Sequence, residues 1–205
     1  MRLSGWKITG FTFLAVIAMC VTVFLRMGFN ELAVRLLVRD TARVSVTLFI
    51  LAFTASSLYA LVRSAPTRWL LQNRRYIGVA FAVAHGVHFA MLGILFYAFP
   101  HPFREYLGAV TLIGGGTAYL FILLMTATSF DRTAALIGPR AWGVLHKVGA
   151  YYIWVLFAQS YIPRAVRDPW YIPFAGLVVA GLLVRIAAWM TVRTKQRSRV
   201  VPEGA

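Results

Sequence analysis

Apolar runs of membrane-crossing length, parted by short polar segments rich in arginine, are the dominant pattern along this chain. They lie at about Ile8–Leu25, Val44–Val62, Tyr76–Phe99, Leu107–Thr128, Ala141–Ile162 and Trp170–Met190. A helix needs about 20 apolar residues to cross a hydrocarbon core of about 30 Å, and each run comes close to that length. The pattern predicts an all-α polytopic membrane protein, with six transmembrane helices in one bundle and a single transmembrane domain over residues 1–205. Between the first two runs, Asn30 to Arg43 intersperses Leu32, Val34, Leu36, Leu37 and Val38 with Arg35 and Arg39, which predicts a short interfacial helix. Pro66, Pro100-His101-Pro102, Gly138-Pro139 and Pro163 mark predicted ends, because proline removes a donor and restrains the residue before it. Gly114-Gly115-Gly116 inside the fourth run suits either close approach of another helix or a local break.

Composition agrees with this pattern. Of 205 residues, 60% are apolar, well above the 45–50% or so of soluble domains. The mean hydropathy is +0.73. A net charge of +15 raises the question of nucleic acid. The lysines and arginines, however, cluster between apolar runs, as in loops that meet anionic lipid, so the expected partner is the bilayer and not nucleic acid. Their bias toward the N-terminal segment, the second and fourth loops and the tail predicts both termini cytoplasmic, with residues 193–205 a basic cytoplasmic tail. Cys20 is the sole cysteine, which excludes an intramolecular disulfide.

The candidate chemistry lies inside the membrane. Tyr76–Phe99 runs for 24 residues without Asp, Glu, Lys or Arg, yet holds His85 and His88, three apart and so on one side of a helix. An ionisable residue at such a depth is a candidate functional site. His146 lies near the start of the fifth run, and His101 in a loop between two prolines. Histidines on facing helices can bind b-type haem axially, and Gly86, Gly93, Gly143 and Gly149 would leave room for a flat macrocycle. The plainer reading is that these imidazoles hydrogen-bond neighbouring helices. Arg74, Arg75 and Arg140 suit haem propionates or a quinone head group, or equally topology and lipid contact. Arg185 lies about two turns inside its span, where it either snorkels or lines a transport path. The sequence holds no HExxH pattern, phosphate-binding glycine loop or nucleophile elbow.

The order Arg74-Arg75, Gly78, His88, Thr128-Ser129, Leu136-Ile137-Gly138 and Trp142-x-x-Leu145-His146 resembles the ferric-reductase-like transmembrane domain family. Within it, the likeness is greatest to the haem-binding membrane subunits of bacterial methionine sulfoxide reductase systems. It covers about residues 41–185. The resemblance implies a six-helix cytochrome b of the bacterial inner membrane, carrying electrons from a flavin or quinol to an extracytoplasmic reductase subunit. His88 and His146 match the family's haem-iron ligands. The family's second histidine of the fifth helix, thirteen residues after the first, is here Gln159. A haem on His88 would then be five-coordinate, take another ligand, or be absent. His85 is a substitute only from the same helix, and a His88–His146 pair needs a tilted haem. The alternatives are a haem-free protein of the same fold with a structural or interaction role, and a small-molecule transporter.

Overall fold

The computed structural model describes residues 3–103 and 108–200, with side chains at 3–101, 108 and 112–194. The described chain is all helical: α1 (Trp6–Met27), α2 (Glu31–Leu61), α3 (Ala65–Ala98), α4 (Pro100–Phe103), α5 (Ala109–Ala127), α6 (Asp131–Arg167), a 3-10 turn (Pro169–Tyr171) and α7 (Ile172–Val200). Four helices (α1, α2, α3 and α7) are each long and apolar enough to cross a membrane. The pair α5 and α6, bent by 114° at their junction, makes a fifth candidate. The all-α expectation holds, with four or five candidate spans among the described residues where six were expected.

Several predicted boundaries move, for identifiable reasons. Asn30 to Arg43 is not a separate interfacial helix but the first part of α2. Asn30 Oδ1 caps the helix by accepting from the Ala33 N–H at 2.9 Å. No glycine or proline follows to break it, and Ala33, Val34, Leu37 and Thr41 are fully buried. The second loop shrinks to 62–64, because Ser64 and Thr67 form a reciprocal capping box and Pro66 sits where its missing N–H costs nothing. Arg68, Arg74 and Arg75 are therefore on α3. Pro163 does not end α6, which runs on to Arg167. The sixth run opens as the 3-10 turn, with Asp168 Oδ1 accepting from the Trp170 N–H at 3.0 Å. The tail continues α7 to Val200, and residues 201–205 lie outside the described residues, as do Leu107 and the loop residue Glu105.

Gly138 is a sharp break inside α6. Its φ of 73° with ψ of 164° lies where a Cβ would strain. Pro139 follows it and starts the long arm of α6. The segment from Asp131 to Ile137 is therefore set off from the span.

The core is aromatic. Phe49 and Phe53 on α2, Phe81 on α3, Phe157 and Tyr161 on α6 and Val178 on α7 form its buried centre, with Ile122 and Ile153. Phe49 lies 5.4 Å from Phe81 and 5.3 Å from Phe157, measured between ring centroids. On the other side of α2, Val16 and Cys20 of α1 pack with Leu37, Ala84 and Met91. α1 is also tied to α3 by polar contacts: Asn73 Oδ1 accepts the Gly5 N–H at 2.8 Å, and Thr9 donates to the Tyr76 carbonyl at 3.1 Å.

The glycine run is not where helices come closest. α5 is unbroken across it, and Cβ atoms at Gly115 and Gly116 would meet nothing within 4 Å. The tight contact is at Gly149, where an added Cβ would lie 2.6 Å from Met125 Sδ and 3.0 Å from Phe121 Cδ1. Space expected there for a macrocycle is taken by α5. Gly149→Ala is expected to push α5 and α6 apart and destabilise by about 1–3 kcal/mol, read as a lowered melting temperature in detergent. Gly115→Ala should leave that temperature unchanged.

Candidate functional site

A cavity of about 340 Å³ opens between α2, α3, α5 and α6, at the low end of the range of small-molecule sites. Phe49, Phe81, Ile122 and Ile153 floor it with apolar surface, while Arg74, Arg75, Thr128, Asp131, Trp142 and His146 give it a polar end. Three of the five residues singled out for cofactor binding, Arg74, Arg75 and His146, are thus brought together. Gly78 also lines the cavity, and a Cβ there would meet no atom within 4 Å.

His146 is held on two sides. Its ring stacks on Trp142 at 4.3 Å between centroids, one turn earlier on α6. Its Nε2 lies 3.1 Å from Thr128 Oγ1. The Thr128 hydroxyl already donates to the Leu124 carbonyl at 2.7 Å, so Nε2 is the donor to Thr128 and the lone pair falls on Nδ1. Trp142 donates in turn to the Thr128 carbonyl at 2.9 Å. Binding of a metal through Nε2 requires His146 to exchange Thr128 for it.

Arg75 closes the polar end. Its guanidinium donates to both oxygens of Asp131, at 2.5 and 3.4 Å, and to the Ser129 carbonyl. This fork pins the start of α6 to α3 across the bend. Asp131 lies ahead of the Gly138 break. Its hydrogen bond with Arg75 and that residue's charge hold its carboxyl below the usual range.

His85 and His88 form a second cluster, outside the cavity lining. Their rings stack at 5.0 Å, and His85 stacks on Tyr119 of α5 at 5.0 Å. His88 Nδ1 is 2.9 Å from the Val38 carbonyl of α2 and 3.2 Å from Thr41 Oγ1. A carbonyl only accepts, so Nδ1 carries the proton and Nε2 the lone pair, the tautomer that metal-binding histidines adopt. Among the described residues Nε2 has no hydrogen-bond partner. His85 Nδ1 and the Tyr119 hydroxyl are buried without partners.

The remaining candidates are placed plainly. His101 is exposed in α4, with non-helical φ and ψ, and Arg140 and Gln159 are exposed on α6. Arg185 does not snorkel. It donates to the Phe53 carbonyl of α2 at 2.7 Å and to the Tyr151 hydroxyl of α6 at 3.1 Å, between the rings of both. No three His, Cys, Asp or Glu side chains converge as metal ligands among the described residues. Tyr119 escaped the sequence reading, and Trp142 entered it only as part of the motif that ends at His146. Trp142, at one helical turn before His146, was the detectable signal.

Comparison with protein-family models, curated proteins and solved structures finds no match. The site therefore rests on its own geometry.

The Arg75–Asp131 fork carries a pH signature. A lowered carboxyl pKa adds stability above about pH 4, the ordinary aspartate value, and that stability is lost as pH falls through the lowered value. Asp131 is exposed, so the effect is small. The melting temperature of the wild type is expected to fall more steeply from pH 5 to pH 3 than that of Asp131→Asn. Parallel curves would show that the fork carries no stability.

Proposed function

We propose that the protein is a membrane b-type cytochrome subunit. It passes electrons across the bilayer, from a quinol or flavin donor to an extracytoplasmic partner reductase. The observation that carries this reading is the cavity whose polar end holds the His146 imidazole and the Arg74 guanidinium, with Arg75 beside them paired to Asp131. That donor set suits a flat apolar ligand with anionic tails. His146 would bind the iron, Arg74 and Arg75 would face the propionates, and Trp142 would support the imidazole from behind. When bound, haem supplies one-electron chemistry. The chain supplies orientation, charge neutralisation and exclusion of water. His88, with Nε2 free and Nδ1 fixed by Val38, is the other imidazole fitted to bind iron. In this reading α5 and α6 each cross the bilayer. That makes six spans in the bacterial inner membrane, with both termini cytoplasmic.

A second reading is favoured by one specific observation. Phe49, Phe81 and Phe157 fill the middle of the bundle, and Gln159 is exposed where the family that the sequence resembles would carry a histidine. This suits a haem-free protein of the same fold.

Purified protein is expected to show a Soret and an α band when reduced with dithionite. His146→Ala should cut haem content at least several-fold, Arg75→Gln should lower it partially, and His101→Ala should leave it unchanged. A reduced spectrum with neither band in the wild type would overturn the cytochrome reading in favour of the haem-free one.

A further inference from the structure

α2, α6 and α7 border a second, more open groove of about 550 Å³, lined by Ser56, Ser57, Lys147, Tyr151, Arg185 and Trp189. Its charge is uncompensated. Arg185 commits two hydrogen bonds, to Phe53 and Tyr151, out of the five N–H donors of a guanidinium. Lys147 is exposed and forms no ion pair among the described residues. No acid lines the groove. The described acids are engaged elsewhere: Glu31 with Arg35, Asp40 with Arg39 and Arg43, Asp131 with Arg75, and Asp168 with the Trp170 N–H.

The groove has the depth of a lipid head and the walls of a lipid chain. Ser56 and Ser57 lie four to five residues before the end of α2 at Leu61, which is about 6–8 Å along the helix. Arg185 of α7 lies level with Phe53, and deeper along α7 the exposed Leu183 and Val179 continue the apolar face of Ile186. A phosphodiester offers a single negative charge and unbridged oxygens, to which guanidinium, ammonium and hydroxyl groups all donate. A neutral quinone ring gains little from two unpaired cations.

We propose that this groove seats the phosphate of an anionic glycerophospholipid. Arg185 and Lys147 supply the positive charge, Ser56 and Ser57 supply hydroxyl donors, and an acyl chain lies along Ile186 and Leu183. The assignment is independent of haem and of the cavity around His146.

Native mass spectrometry of the full chain, released from mixed micelles containing phosphatidylglycerol or phosphatidylcholine, tests it. Phosphatidylglycerol adducts should survive release and phosphatidylcholine adducts should not. Lys147→Gln should weaken phosphatidylglycerol binding about fivefold, the worth of one basic residue near a lipid surface. The double variant Ser56→Ala, Ser57→Ala should weaken it further. Both changes lie outside the buried aromatic core, so each variant is first checked for an unchanged melting temperature. Arg185→Lys keeps the charge and should retain more adduct than Arg185→Gln. Equal retention of the two lipids would overturn the proposal, as would wild-type binding in the Lys147 and serine variants. So would displacement of phosphatidylglycerol by millimolar inorganic phosphate or by a short-chain quinone.

Discussion

Inside a bilayer no water stands ready to satisfy a polar group, so every donor and acceptor must be met by the protein itself. Much of the bundle's internal detail follows from that demand. Thr41, Ser45 and Thr54 turn their hydroxyls back onto the carbonyls of Leu37, Thr41 and Ile50 within α2. Trp154 of α6 reaches the Val178 carbonyl of α7 at 3.0 Å, and His88 of α3 reaches the Val38 carbonyl of α2. Side-chain donors on one helix repeatedly take the spare lone pair of a carbonyl on another. These contacts fix rotation and register where apolar packing against lipid-like neighbours has little power to do so.

The same demand shapes the candidate site. Each of the two engaged imidazoles spends one ring nitrogen on protein, His146 on Thr128 and His88 on Val38, and the tautomers differ as a result. His85 and Tyr119 stand apart because neither finds a partner for its buried polar atom. The cavity survives at the level of the α5–α6 bend. There the chain turns at residues 128–130 and again at Gly138, and the Arg75–Asp131 fork and the contacts of His146 and Trp142 with Thr128 link the parts.

The helix content was legible in the sequence, because long apolar runs between charged segments favour helices of membrane-crossing length. Boundaries were less so. Asn30 and Ser64 cap helices whose next turns are charged, and hydropathy reads those turns as loop although nothing in them breaks a helix. The glycine run looked like a contact stripe, whereas only Gly114 of it touches α6, through Tyr152 and Leu156, and the tightest approach is at Gly149 against Met125 and Phe121. The motif Thr128-Ser129 before Trp142 and His146 was visible as a spacing, but its meaning needed the bend that folds α5 back onto α6. The aromatic filling by Phe49, Phe81 and Phe157 had no one-dimensional signal, since phenylalanine suits a lipid face and an interior equally well.

Arg185 joins three helices by gripping a main-chain oxygen at Phe53 and a phenol at Tyr151. A peptide carbonyl is present whatever side chain that position bears. The hydrogen bond at 53 is therefore supplied by the backbone, while the ring of Phe53 adds a cation–π face at 4.3 Å. Variation at 151 would have to keep a polar oxygen within reach, which makes it the position where descendants of this fold betray whether they still hold α6 and α7 together in this way.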